Sequence, residues 1–375
     1  MSEYQYYEFQ TLDQRLSKEA QEEMHRLSSR VQLTSTQASF VYNYGDFRGD
    51  PFEVLDKYFD AMLYIANWGS QRLMFRFPKG LIDVTMLKPY TYAEEIEVIT
   101  TDKHVILDIE PYNEEGGWGW IEGEGLLSGM VSLRQDIMQG DLRALYLAWL
   151  MVAASEVEVL EDDEDLTEPP VPPNLQNLSA ALENLIDFFE IDRDLVDAAV
   201  EASPLVAAPS EDLEKRIGDL TADEKDGLLR KVLRGDPHVS LELARKLREL
   251  GPTRQRVTAA PVPRRTIKQL NKAAKEHARI RKQREREEAE RERVKKLKAL
   301  APKEEEVWGN VHSLIKAKHG KAYDEAVQFL IQLRDLAEYQ KRSDHFNERI
   351  NQIYESYPTL RGLHDRMRRA GLDKK

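Results

Sequence analysis

Residues 96–110 read Ile-Glu-Val-Ile-Thr-Thr-Asp-Lys-His-Val-Ile-Leu-Asp-Ile-Glu. Two runs rich in β-branched residues flank Thr101-Asp102-Lys103, so the stretch predicts two strands joined by a turn. Upstream, residues 72–77 set Leu73, Phe75 and Phe77 against Arg72, Met74 and Arg76, the alternation of a strand. Residues 4–12 and 31–44 also read as strands, the second placing Phe40, Tyr42 and Tyr44 on one face. Helices separate them. Ser17 caps one over residues 17–28, with Leu16, Ala20, Met24 and Leu27 at helical spacing. Asp50 caps another, with Pro51 at its first position. Its apolar stripe runs Val54, Leu55, Tyr58, Phe59, Met62, Leu63 and Ile65, and Gly69 stops it. This order predicts an α+β N-terminal domain over residues 1–155, a mainly antiparallel sheet with helices on one face. Residues 111–129 read as a Gly- and Trp-rich loop with room for one more strand, and residues 133–152 as the domain's last helix.

Past this domain the chain reads as all helix. Residues 156–173, acidic and then Glu-Pro-Pro-Val-Pro-Pro, predict a solvated, semi-extended linker. Residues 174–251 predict an acidic helical domain of four helices. The first carries the stripe Leu178, Leu182, Leu185, Ile186 and Phe189; the next is capped by Asp192; a third opens with the capping box Thr221-Ala-Asp-Glu224. A second linker, 252–265, contains Pro261 and Pro263. Residues 266–300 predict a single charged helix, roughly 50 Å long at 1.5 Å per residue. It is laced by pairs such as Arg281/Glu285 and Arg284/Glu288. Residues 303–373 predict a domain of helical hairpins, with Ala326, Phe329, Leu330 and Leu333 on one helix and Phe346, Ile350 and Ile353 on the next.

Charge divides the chain. Residues 1–250 carry 23 Lys+Arg against 49 Asp+Glu, and residues 251–375 carry 31 against 18, so the net changes from −26 to +13. An acidic body with a basic helical tail points to docking rather than turnover. The chain has no cysteine, which excludes disulfides, thiolate metal sites and Cys nucleophiles. The first ten residues lack a basic region and an apolar region, so they do not read as a signal peptide. The longest apolar stretch, 144–154, is too short to span a bilayer. A cytoplasmic protein is expected.

Several groups invite a chemical reading. Asp102, His104, Asp108 and Glu110 alternate along a strand pair, as metal-binding carboxylates and imidazole would. Asp46, Asp50, Glu53 and Asp56 surround a helix start, where oxygen ligands hold Mg²⁺ or Ca²⁺. Both groups also have an architectural reading, which is preferred: the first as the polar side of a half-solvated sheet, the second as helix capping and dipole pairing. Gly116-Gly-Trp-Gly-Trp-Ile-Glu-Gly-Glu-Gly125 lacks the Lys-Ser/Thr of a phosphate loop and contains acids, so it reads as a bent hairpin. No Ser lies in G-x-S-x-G. No catalytic residue, cofactor or metal site is assigned. The basic run 251–299 holds 17 Lys+Arg against 6 Asp+Glu. Its least neutralised residues, Arg254, Arg256, Arg264, Arg265, Lys268, Lys272 and Lys275, are the candidate nucleic-acid contacts, sequence-blind and salt-sensitive. A solvated spacer helix and a tail folded onto the acidic body are the competing readings.

Tyr4-Gln-Tyr-Tyr-Glu-Phe9, Leu142-Arg-Ala-Leu-Tyr-Leu-Ala-Trp-Leu150, Glu168-Pro-Pro-Val-Pro-Pro173 and the tail Tyr323-Asp-Glu-Ala-Val-Gln-Phe-Leu330 with Arg334-Asp-Leu-Ala resemble a family of uncharacterised bacterial proteins across most of the chain. The C-terminal helical segment is also similar to the tails of some bacterial SWIM zinc-finger proteins. The Cys and His ligands of that finger have no counterpart here. The resemblance implies a shared docking module, not a shared metal site. The expectation is therefore a non-enzymatic cytoplasmic adaptor that docks a protein partner through its C-terminal helices, in a nucleic-acid-associated complex. The alternatives are a metal-dependent hydrolase or nuclease using carboxylates of the N-terminal sheet, and non-specific nucleic-acid binding by the basic arm.

Overall fold

The computed structural model describes residues 3–111, 123–156, 166–206, 213–236, 238–250 and 264–374. The elements begin with β1 (Gln5–Gln10), α1 (Lys18–Leu27), β2 (Gln32–Leu33), β3 (Gln37–Tyr42), α2 (Pro51–Tyr58), β4 (Ala61–Ala66) and β5 (Gln71–Pro78). A short α3 (Val84–Leu87) leads to β6 (Ile96–Thr100) and β7 (His104–Ile109). The seven strands form one sheet in the order β2-β3-β1-β4-β5-β7-β6, antiparallel throughout. The α+β class with a mainly antiparallel sheet is therefore present. The hairpin predicted over residues 96–110 closes in register, with Ile96 opposite Ile109 and Thr100 opposite Val105.

Three expectations about this sheet change. The helix after Asp50 stops at Tyr58, and residues 61–66 are the central strand β4. A strand buried on both faces reads as a continuous apolar run, and such a run matches helical spacing by accident. Residues 31–44 make two strands, β2 and β3. Helices also cover both faces rather than one. On one face Tyr7, Phe9, Phe40, Met62, Met74 and Ile106 pack against Ala20 and Met24 of α1 and Val54 and Leu55 of α2. On the other face Leu63, Phe75, Phe77, Leu107 and Ile109 pack against α4 (Ser132–Met138), α5 (Arg143–Glu156), α6 (Ala180–Phe188) and α7 (Arg193–Val200). The single helix expected over 133–152 is broken between α4 and α5, where Gly140 adopts φ +89°, a left-handed conformation that favours glycine.

The capping chemistry is as expected. The side chains of Ser17, Asp50 and Asp192 accept hydrogen bonds from Ala20, Phe52 and Asp194 backbone N–H groups. After the short α8 (Leu213–Arg216), Thr221 and Glu224 form the capping box of α9 (Ala222–Arg234). With α10 (Val239–Glu249), these helices share a small core of Leu220, Leu228 and Leu247. The four helices expected over 174–251 are thus divided, because α6 and α7 belong to the sheet's core.

The expected solvated linker is part of the fold over residues 166–173. Tyr146 donates to Glu168, whose side chain is 3% exposed, and Arg265 donates to both Glu168 oxygens at 2.8 Å. The Glu168 and Ile267 backbone N–H groups bond to the Arg265 and Leu166 carbonyls at 2.9 Å. A carboxylate held by an arginine and a phenol loses its need for water, so the prolines around it pack down. The acidic run 157–165 and Pro261 and Pro263 lie outside the described residues.

Two compact units, Met1–Ala278 and Arg279–Lys375, divide the chain. Helix α11 (Ile267–Leu300), 34 residues long, begins in the first. The second has its own core, built from α12 (Glu304–Ala317), α13 (Gly320–Tyr339), α14 (Ser343–Ser356) and α15 (Arg361–Arg369). Trp308, Val311, Ile315, Leu330, Ile353, Leu363 and Met367 are its buried centre. Among the described residues no helix is long and apolar enough to cross a membrane.

Candidate functional site

A concentration of buried charge lies where β1 and β5 end and β4 and β7 begin. Arg134 of α4 is 2% exposed. Its Nε donates to the Arg76 carbonyl at 2.6 Å, and its two terminal nitrogens donate to the Asp13 carboxylate at 2.8 Å each. Asp60 accepts from Arg76 at 2.8 Å and from the Leu12 and Asp13 backbone N–H groups at 2.7 and 3.0 Å. His238 places Nε2 2.7 Å from Asp13 Oδ2. Burial pushes the Asp13 carboxyl up, but His238 and Arg134 outweigh it and hold the group well below the usual carboxylate range. The arrangement cross-links the β1–α1 loop, β5, α4 and the start of α10. Its chemistry is that of a clamp, because every Arg134 nitrogen is committed.

The alternating acids do not form one cluster. Asp102 sits in the turn. His104 Nδ1 lies 2.8 Å from Asp56 Oδ1, and Thr101 donates to the same oxygen at 3.2 Å. Asp108 is 5% exposed and takes a two-pronged bond from Arg72, which also lies 3.1 Å from Glu110. The two carboxylates that a hydrolase reading would use are therefore both tied to one guanidinium. The expected half-solvated face is covered too, since Ile106, between His104 and Asp108 on that face, is fully buried. The acids around α2 likewise separate. Asp46 accepts from Gln5 at 3.1 Å, Asp50 caps, Glu53 sits in the first turn, and Asp56 meets His104. No group of three or more His, Asp or Glu among the described residues is placed to hold a metal ion.

One buried acid was visible but unassigned. Glu8, fully buried in β1, accepts from Tyr6 at 3.0 Å and from Gln37 at 2.6 Å. Burial pushes its carboxyl up, and the two hydrogen bonds only partly offset this. The folded state therefore binds a proton more readily than the unfolded chain. Stability falls as pH rises from the ordinary value of about 4.3 through the raised one. Glu8→Gln removes that loss. Urea unfolding is expected to show the variant as stable as the parent near pH 4 and more stable at pH 8. A variant weaker at pH 8 contradicts the assignment.

The candidate nucleic-acid residues are split by the fold. Arg254 and Arg256 lie outside the described residues. Arg264 is exposed. Arg265 is spent on Glu168 and on the Ala198 carbonyl at 2.8 Å. Lys268, Lys272 and Lys275 lie exposed on the first turns of α11, opposite buried Ile267, Leu270 and Ala274. Further along, Arg281 pairs with Glu285 at 3.0 Å, Arg291 with Glu287 at 3.6 Å and Arg293 with Glu290 at 3.3 Å.

In the C-terminal unit, Arg349 stacks 4.2 Å over the Trp308 ring and pairs with Glu305 at 2.5 Å. Arg366 of α15 pairs with Asp324 of α13 at 2.5 Å. Arg361 and Arg369 are exposed along α15, beside Arg368, which pairs with Asp365 at 2.5 Å, and Lys374, which pairs with Glu355 at 3.3 Å.

No family model matches the chain, and no curated protein or solved structure matches it.

Proposed function

We propose that the protein is a non-enzymatic cytoplasmic adaptor that docks a protein partner through its C-terminal helical unit. The observation that carries this reading is a second compact unit, Arg279–Lys375, with a core of its own. The α11 stretch leading to it, 279–293, is exposed, and the pairs Arg281–Glu285, Arg291–Glu287 and Arg293–Glu290 run along the helix itself. The exposed arginines of α15, Arg361 and Arg369, suit an acidic protein surface. A bacterial, nucleic-acid-associated complex is the setting this reading assumes. The similarity of the tail to those of SWIM zinc-finger proteins fits the same docking role.

The second reading is direct binding of a duplex by the basic run, supported by the shared exposed face of Lys268, Lys272 and Lys275. It predicts a log–log salt slope of about −0.9 per phosphate contacted. Full-length bait and a chain ending at Leu300 separate the two, each with and without nuclease. The adaptor reading expects partners that survive nuclease and disappear from the shorter bait. Partners retained by the shorter bait contradict it, and partners lost only to nuclease favour the basic run.

A further inference from the structure

A groove of about 750 Å³ lies between the C-terminal end of α1 and the end of β3 with the loop that follows. It is of the size that holds a small organic ligand. Its lining is unusual for this part of the chain. Residues 1–250 hold more than twice as many acids as bases, yet Arg30 and Arg48 both face this groove. Both are exposed, and no carboxylate pairs with either among the described residues. The one acid in the lining, Asp46, accepts a hydrogen bond from Gln5 at 3.1 Å.

Aromatic groups complete the wall. Tyr44 is 82% exposed, well beyond what a ring of its size usually shows. Tyr42 is fixed edge-on against Tyr7, with ring centres 6.2 Å apart, and against Phe47 at 6.2 Å. Its phenol oxygen is buried with no hydrogen-bond partner. A buried hydroxyl without a partner is a cost that folding alone does not repay. Asn43 and Ser28 add polar groups to the rim.

We propose that this groove binds a nucleoside 5′-phosphate. Arg30 and Arg48 take the phosphate, for which planar guanidinium forks are suited. The exposed face of Tyr44 stacks on the base, and exposed Asn43 serves the sugar or the base edge, while Tyr42 forms the floor. An anion alone has no use for the ring, and a neutral sugar has no use for two unpaired arginines. The same chemistry is presented by a free mononucleotide and by the 5′-phosphorylated end of a single strand.

Calorimetric titration of the full chain with AMP, adenosine and inorganic phosphate tests this. AMP is expected to bind saturably, with adenosine and phosphate each at least about tenfold weaker. Tyr44→Ala is expected to weaken AMP by about 5- to 150-fold while leaving phosphate binding unchanged. The double variant Arg30→Ala/Arg48→Ala is expected to abolish both. All three side chains are exposed, so these variants keep the parent circular dichroism. Tyr42→Phe is expected to leave the melting temperature of the unliganded chain unchanged or raise it, since its hydroxyl has no partner to lose. A 5′-phosphorylated hexathymidine run beside AMP identifies the source, the tighter binder being the one the groove serves. Three results overturn the proposal: no saturable AMP binding at millimolar concentration, phosphate binding as tightly as AMP, or AMP binding intact in the double arginine variant.

Discussion

Replacing Arg134 by Met lowers the stability of the N-terminal unit by about 3–5 kcal/mol, the usual cost of stranding a buried charge. The side chain is 2% exposed and donates to both oxygens of Asp13. Methionine fills much of the volume but supplies no donor. Asp13, 11% exposed at its side chain, then keeps only His238 at 2.7 Å. Asp60 is less affected, because Arg76 and two backbone N–H groups still serve it. For a unit of this size the loss corresponds to a melting temperature lower by on the order of 10 °C. The double variant Asp13→Asn/Arg134→Met recovers part of it, since the stranded charge is gone, and the double-mutant cycle gives a coupling of at least about 1 kcal/mol. A change below about 1 kcal/mol in the single variant contradicts the clamp. The pH dependence has a defined sign. Asp13's folded-state pKa is depressed, so its contribution is complete above the ordinary carboxylate value of about 3.9 and is lost as pH falls through the folded value.

The second large effect belongs to the other core. Trp308→Ala costs about 3–5 kcal/mol, as expected for a buried tryptophan. Its ring is 2% exposed, 5.8 Å from the ring of Phe346 and beneath the Arg349 guanidinium at 4.2 Å. Truncation opens a cavity where α12 meets α14 and removes the platform that holds Arg349 toward Glu305. The loss should stay local, because the core around Trp308 contains only residues of the C-terminal unit. Hydrogen exchange read by mass spectrometry is expected to show α12–α15 losing protection while β1, β4, β5 and β7 keep theirs. Equal loss in the strands contradicts the separation of the cores.

Local chemistry was legible in the sequence, and long-range chemistry was not. The β6–β7 hairpin follows from two β-branched runs around Thr101-Asp102-Lys103, and the caps of Ser17, Asp50, Asp192 and Thr221 follow from residues within three positions of each. Strand β4 was hidden because full burial erases its alternation, and Phe59 through Ile65 then continue the stripe of α2. The packing of residues 166–173 was hidden because Glu168 meets an arginine 97 positions away. The Arg134 clamp joins residues 121 positions apart. A weak signal for it existed. Arg76 lies between Phe75 and Phe77, Asp60 between Phe59 and Ala61, and Arg134 one residue after Leu133. A charge set inside a buried run needs a partner, and three such charges in one domain point to a shared site. Arg265, by contrast, looked like a free cation only because Glu168 is remote in sequence.

The most direct test of the adaptor reading is sufficiency. A fragment of residues 279–375, which keeps the whole C-terminal core, is immobilised and offered the nuclease-treated lysate used for the full chain. The account predicts capture of the same partners, and their loss when the fragment carries Trp308→Ala. A folded fragment that captures none of them, while a chain ending at Leu300 captures them all, places the docking surface in the N-terminal unit and contradicts the account.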